Sequence, residues 1–301
     1  MKSSYKFNYI TTLIILCAGY FVDFYDLTIF SASYTELIPQ QFQIIDPLKI
    51  QQLYLTLTNW HNLGIFTGAI LFGIMGDKLG RTYIIRFNIL FYSSAIIISI
   101  FTKSIFIFSI LRFITGMGLA SEFAISSVLI SEIFSVKVAN RSAAILYSSG
   151  ILGGITATFF SVLSWKTMFI LGGIAGIIIY VARSKIYESH LFEKIYNMKH
   201  ITKGKLSEII LNKANLIKTI KLWSIILPFQ LLISIMFIFP NFMNLGINTH
   251  TAIKILLIGF FSGNLISTFL GALMINWFKN YRIYIIINII LVIFLFCFIG
   301  F

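Results

Sequence analysis

Of 301 residues, 58% are hydrophobic and only 11% are charged, and 31 are Phe. An ordinary soluble domain carries about 25% charged residues, so this composition excludes that class. The formal net charge of +13 does not point to nucleic acid, because the basic residues fall between apolar runs rather than in one patch.

Apolar runs of about 20 residues recur along the chain, the length a helix needs to cross a bilayer. Transmembrane strands would alternate over about ten residues, and no such pattern is present. The sequence predicts an all-α polytopic membrane protein with nine helices: 9–30, 53–75, 83–101, 105–129, 143–163, 167–182, 222–240, 253–275 and 283–301. Basic residues give the orientation. With the N-terminus inside, eighteen lie in cytoplasmic segments, against Lys49, Lys103, Lys166 and Lys254 outside and Arg112 within a span. The expected organisation is a six-helix bundle over 1–182, a basic cytoplasmic loop over 183–221 and an incomplete three-span bundle over 222–301.

The first span reads "AGYFVDFYDLTIF" and holds Asp23 and Asp26. A carboxylate at the bilayer centre costs roughly 2.5–3.5 kcal/mol on insertion scales, so two of them need a reason. Lys2 and Lys6 precede this run and Ser31-Ala32-Ser33 could mimic a cleavage site, but its length and acids favour an uncleaved span. Cys17 and Cys297 both fall in apolar runs and suggest neither a disulfide nor a metal site; no metal or cofactor is expected. Asn59, His61 and Asn62 in the second span read as polar contacts within a bundle.

"GIMGDKLGR", 73–81, closes the second span and opens the third. Gly73 and Gly80 bracket a tight turn into which Asp77, Lys78 and Arg81 are crowded, and the acid can face Arg81 or a helix N-terminus. The fourth span contains "RFITGMGLASE", with Arg112 and Glu122, and Glu132 and Arg141 follow. Gly150, Gly153 and Gly154 in the fifth span, and Gly172, Gly173 and Gly176 in the sixth, suit close helix packing. The loop over 183–221 holds nine basic and three acidic residues and reads as a solvated connector at an anionic leaflet. Pro228 permits a kink in the seventh span. The chain closes on "FLFCFIGF", inside an apolar run without a polar tail, which reads as an interrupted end.

Gly73-x-x-x-Asp77-x-x-Gly80-Arg81 resembles the loop 2–3 signature of the major facilitator superfamily of secondary transporters. Arg112-x-x-Thr115-Gly116-x-Gly118 is similar to its fourth-span motif, and "SWKTMF" to its entry into the sixth span. Within that superfamily, "GYFVDFYDLTIFS" with "GLASE" most resembles the phagosomal transporters and metabolite–proton symporters of intracellular bacteria. The resemblance implies proton-coupled uptake of amino acids or similar small solutes across a bacterial inner membrane. It does not favour drug efflux, whose pattern needs a proline in the fifth span; the prolines are at 39, 47, 228 and 240. It also implies twelve spans, of which the last three are missing, so the alternatives are a transporter completed by a separate polypeptide and a non-transporting remnant.

Asp23 lies seven residues before the outer end of its span and Arg112 seven after the outer end of its own, so both sit roughly 10 Å deep. Since the first and fourth spans of such transporters line the central cavity, Asp23 and Arg112 are expected to pair there. Asp26 would lie one turn nearer the mouth, where two close carboxylates favour a shared proton. Glu122, roughly 15 Å further towards the cytoplasm than Arg112, reads either as a further carboxylate of the solute and proton pathway or, the favoured placement, as part of a gate network with Glu132 and Arg141 beside Arg81.

Overall fold

The computed structural model describes residues 9–120, 122–196, 198, 204–205, 207, 211–220 and 257–265. Eight helices are α1 (Tyr9–Phe42), α2 (Pro47–Leu79), α3 (Arg81–Phe101), α4 (Ile105–Ala120), α5 (Glu122–Ile133), α6 (Val136–Phe160), α7 (Trp165–Arg183) and α8 (His190–Tyr196). Further helical residues occur at 213–220 and 257–265. The seventh and ninth expected spans, Pro228 and Cys297 lie outside the described residues, as does most of the eighth span.

Chain chemistry explains why the first helices outrun their expected bounds. α1 has 34 residues, about 51 Å at 1.5 Å per residue, where the hydrocarbon core is about 30 Å thick. It continues through Ser31-Ala32-Ser33 because Ser33 Oγ donates back to the Ile29 carbonyl at 2.6 Å, so the hydroxyl is satisfied inside the helix. It stops just after Pro39, where Gln43 turns to a left-handed φ of 59° and donates its N–H to the Pro39 carbonyl. α2 starts at Pro47 because Asp46 caps it, accepting from Leu48 N at 2.9 Å, and proline suits a first helical position.

Among the described residues five stretches are long and apolar enough to cross a membrane: Tyr9–Phe42, Arg81–Phe101, Ile105–Ile133, Val138–Phe160 and Trp165–Arg183. α2 is as long as α1 to within a residue, but Asn59, His61 and Asn62 lower its hydropathy. The outward faces are themselves apolar, with Ile14, Phe66, Phe101, Phe106 and Ile178 exposed, as lipid contact requires. This is an all-α, multi-pass membrane protein.

Lipid tails are as apolar as leucine, so helix association here depends on close packing rather than on removal of apolar surface from water. α1 runs along α6 and α7, α2 along α4, and α3 between α4 and α7. Glycine sets the closest crossings. A Cβ on Gly64 would strike the Phe113 carbonyl and one on Gly116 the His61 carbonyl, so α2 and α4 touch backbone to backbone. Gly153 of α6 meets the Phe21 carbonyl of α1 in the same way.

Two apolar clusters fill the bundle. One takes Ile15, Leu16 and Tyr20 from α1 with Ile84, Ile85, Leu129 and Ile186, towards the loop 2–3 end. The other takes Ile29, Phe30, Leu37 and Ile38 with Phe108, Trp165 and Phe169, towards the opposite end. Asp23 and Asp26 lie where the two meet along α1. The helical segment 257–265 reaches this second cluster through Leu257 and Phe261, and Phe261 packs on Phe24 and Gly154.

Candidate functional site: buried charges between α1 and α4

The two acids of α1 turn into the bundle. Asp23 is 3% exposed and Asp26 2% exposed. The Tyr92 hydroxyl of α3 donates to Asp23 Oδ1, and Asp23 Oδ2 is buried without a partner among the described residues. Asp26 lies against α7, where only the missing side chain of Gly172 leaves room for its carboxylate. Among the described residues neither oxygen of Asp26 has a hydrogen-bond partner.

Arg112 is 6% exposed, with its Cζ stacked 4.1 Å from the centre of the Phe30 ring. A cation over an aromatic face is held by the ring quadrupole, at a gain of about 2 kcal/mol when desolvated. Among the described residues Arg112 makes no ion pair within 4 Å, so the expected Asp23–Arg112 pair is not formed. The carboxylate in Coulombic reach of Arg112 is Asp26. Helix phase explains the exchange: one turn along α1, Asp23 already faces α3.

Beside Arg112 stands a residue that the sequence ranked low. His61 of α2 is 2% exposed, and its Nδ1 lies 3.2 Å from the Arg112 carbonyl and 3.3 Å from Thr115 Oγ1. Asn59 and Asn62, its neighbours in the sequence, are exposed.

A second buried charge cluster lies nearer the loop 2–3 end, and here sequence placed the partners wrongly. Glu122, expected near the turn, is fully buried and forms a two-pronged pair with Arg183. Arg183, assigned from sequence to the loop, is the last residue of α7 and fully buried. Its Nη1 also donates to the Ile85 carbonyl at 2.6 Å. The guanidinium lies across Gly19 of α1, where a Cβ would overlap it. Asp23, one turn further along α1, is in Coulombic reach of both members of this pair.

The loop 2–3 turn is a single residue. Gly73 sits inside α2 with nothing within 4 Å of where a Cβ would be, so it does not bracket the turn. Gly80 makes the turn at φ 106°, a backbone that only glycine adopts easily, and donates its N–H to Gly76. Arg81 then pairs with Glu132 at 3.1 Å and with Asp77 at 3.5 Å, and stacks over Phe192 at 4.8 Å. Arg141 is exposed and forms no ion pair among the described residues, so it stands outside this network together with Glu122. The segment after α7 straps the turn down: Glu188 accepts from Thr82 N and Oγ1, both at 3.0 Å, and Ser189 donates to Glu132. Glu188 thereby caps the N-terminus of α3, where backbone donors and the helix dipole favour a carboxylate.

The profile of the Major Facilitator Superfamily matches residues 16–301. The chain belongs to this superfamily. The fold agrees: the proton:xylose symporter XylE superposes with a TM-score of 0.66 at 16% identity, covering 89% of this chain and 69% of that one. Among curated relatives, the niacin transporter NiaP of Acinetobacter baylyi is 30% identical over 132 residues, 42% of this chain and 30% of its own length. The benzoate transport protein of the same species is 30% identical over 178 residues, 55% of this chain and 35% of its own. The chain thus spans about a third of the length of the curated relatives it matches. These relatives are transporters of small solutes rather than enzymes.

Proposed function

We propose that this superfamily chain serves proton-coupled uptake of a small organic solute bearing a carboxylate, amino acids included. The observation that carries the reading is the buried constellation of Asp26 and Arg112: among the described residues, an acid without hydrogen-bond partners beside a guanidinium without an ion pair. Desolvated charges of this kind are expensive and mark ion and solute pathways in membranes. Two negative groups compete for one guanidinium. With Asp26 ionised, the Arg112 charge is balanced from within; with a proton on Asp26, it is available to a solute carboxylate. Solute and proton then travel together. Niacin and benzoate, named for the two relatives, share an aromatic ring and a carboxylate, which fits an arginine over the Phe30 ring, itself stacked with Tyr54.

The same reading sets the chain in a bacterial inner membrane with its N-terminus in the cytoplasm. The Gly80–Arg81 turn, Glu132 and the 186–192 strap then form a cytoplasmic gate. Uptake of labelled benzoate, nicotinate and proline into cells expressing the chain, with and without a protonophore, tests this. Accumulation of at least one acid that collapses with the protonophore is the expected result. Uptake indifferent to the protonophore would remove the proton; no uptake of any acid would favour a non-transporting role.

A further inference from the structure

On the three helices that meet at Arg112, several polar atoms are buried without a partner among the described residues. Asp26 contributes both carboxylate oxygens, Arg112 its Nε, His61 its Nε2 and Thr58 its Oγ1. Thr58 precedes His61 by one turn on the same face of α2. Buried polar atoms are almost always satisfied, so a group of orphans in one place asks what completes it.

The state of His61 follows from its neighbours. The Arg112 carbonyl can only accept, and the Thr115 hydroxyl already gives its hydrogen to that carbonyl at 2.8 Å. Both atoms facing Nδ1 therefore present lone pairs, so Nδ1 carries the hydrogen. In the neutral ring Nε2 is then a bare acceptor, and no described residue supplies it with a donor. Its orientation is fixed, because the backbone of His61 is pressed against Gly116 and its ring is held by two acceptors on α4.

We propose that His61 is a specificity-determining residue of the solute site: Arg112 takes the solute carboxylate and His61 Nε2 accepts a hydrogen bond from an O–H or N–H elsewhere on the same solute. The inference rests on the carboxylate reading above and narrows it. The preferred solutes are acids that also carry a hydrogen-bond donor, hydroxy- or amino-substituted, rather than plain acids. A site with a buried acceptor discriminates against an analogue lacking the donor, because binding that analogue leaves the acceptor unpaired.

The test is equilibrium binding to the full chain in lipid nanodiscs, with benzoate, the 2-, 3- and 4-hydroxybenzoates and the corresponding aminobenzoates as probes. The parent should bind at least one substituted acid about ten-fold or more tightly than benzoate. His61→Asn keeps an N–H where Nδ1 stood and deletes Nε2. It should lose that preference, the ratio of affinities for the substituted acid and for benzoate falling to about one. His61→Gln, which restores a polar atom at the Nε2 position, should recover part of it. On the parent itself, 15N-histidine spectra should show Nε2 unprotonated and moving when the preferred probe is added. Equal binding of benzoate and every substituted acid by the parent overturns the proposal, as does a preference that survives in His61→Asn or an Nε2 signal unmoved at saturation. Failure of the parent to bind any probe overturns the carboxylate reading itself and His61's part with it, whereas benzoate binding without discrimination overturns only the part given to His61.

Discussion

The two buried charge clusters of this bundle differ in how completely they are paired. Glu122 and Arg183 make two direct hydrogen bonds, and Arg183 adds a third to a backbone carbonyl. Asp26 and Arg112 lie near each other with neither a direct ion pair nor a hydrogen bond between them. A closed pair in low dielectric resists change, because breaking it strands a charge. An open one can exchange partners at lower cost, which is what a proton or a solute requires. The difference separates a structural tie from a working site inside one helical bundle.

The largest effect is expected at the closed pair. Glu122→Ala or Arg183→Ala alone should cost about 3–5 kcal/mol by leaving a buried charge unpaired. The loss would be read as a fall in the melting temperature of purified protein. The double variant Glu122→Gln, Arg183→Met should recover most of it. A double variant that simply sums the two single losses would show that the pair is not a unit.

Next in size is the glycine crossing that holds His61 and Arg112 together. Gly116→Leu should destabilise by about 1–3 kcal/mol or more, since the neighbouring atoms are backbone and cannot turn aside. Alanine at the exposed Gly73 should be near neutral in the same melting assay.

The open pair should behave differently. Asp26→Asn should leave the melting temperature nearly unchanged but lower protonophore-sensitive uptake by about ten-fold, a loss of roughly 1.4 kcal/mol in coupling. Asp23→Asn should do less, because the Tyr92 hydroxyl can bond an amide oxygen as it bonds the acid. If Asp23→Asn proved the more damaging, the working carboxylate would be the one beside Arg183 and the comparison would invert.

Smallest is the loop 2–3 turn. Asp77 is more than half exposed and its pair with Arg81 is the weaker of the two, so Asp77→Asn should change stability by at most about 0.5 kcal/mol. Glu132→Gln, nearly buried and shared by Arg81 and Ser189, should cost about 1 kcal/mol and loosen protease protection of the 186–192 strap.

The first six spans were legible because a bilayer imposes one length and one polarity on whatever crosses it. Their ends were not. Whether α1 stops at 30 or continues to 42 depends on residues such as Ser33, which satisfies itself on the preceding turn but which hydropathy counts as polar. Arg183 shows the same limit in the opposite sense. By composition it belongs to a basic loop, and only the gap left by Gly19 and the carboxylate of Glu122 draw it into the bundle.

Sequence alone determined that the chain is a helical membrane protein, that a charged turn lies within 73–81, and that Asp23, Asp26 and Arg112 are too costly to be incidental. These follow from composition, spacing and the price of charge in lipid, which are local properties of the chain. Tertiary structure decided who faces whom: Asp23 towards Tyr92, Asp26 towards Gly172 within reach of Arg112, Glu122 towards Arg183, and His61 onto the backbone of α4. Partnership depends on helix rotation and on which glycines let two backbones meet. Those are set by all the contacts of a bundle together and are not written in the spacing of any one helix.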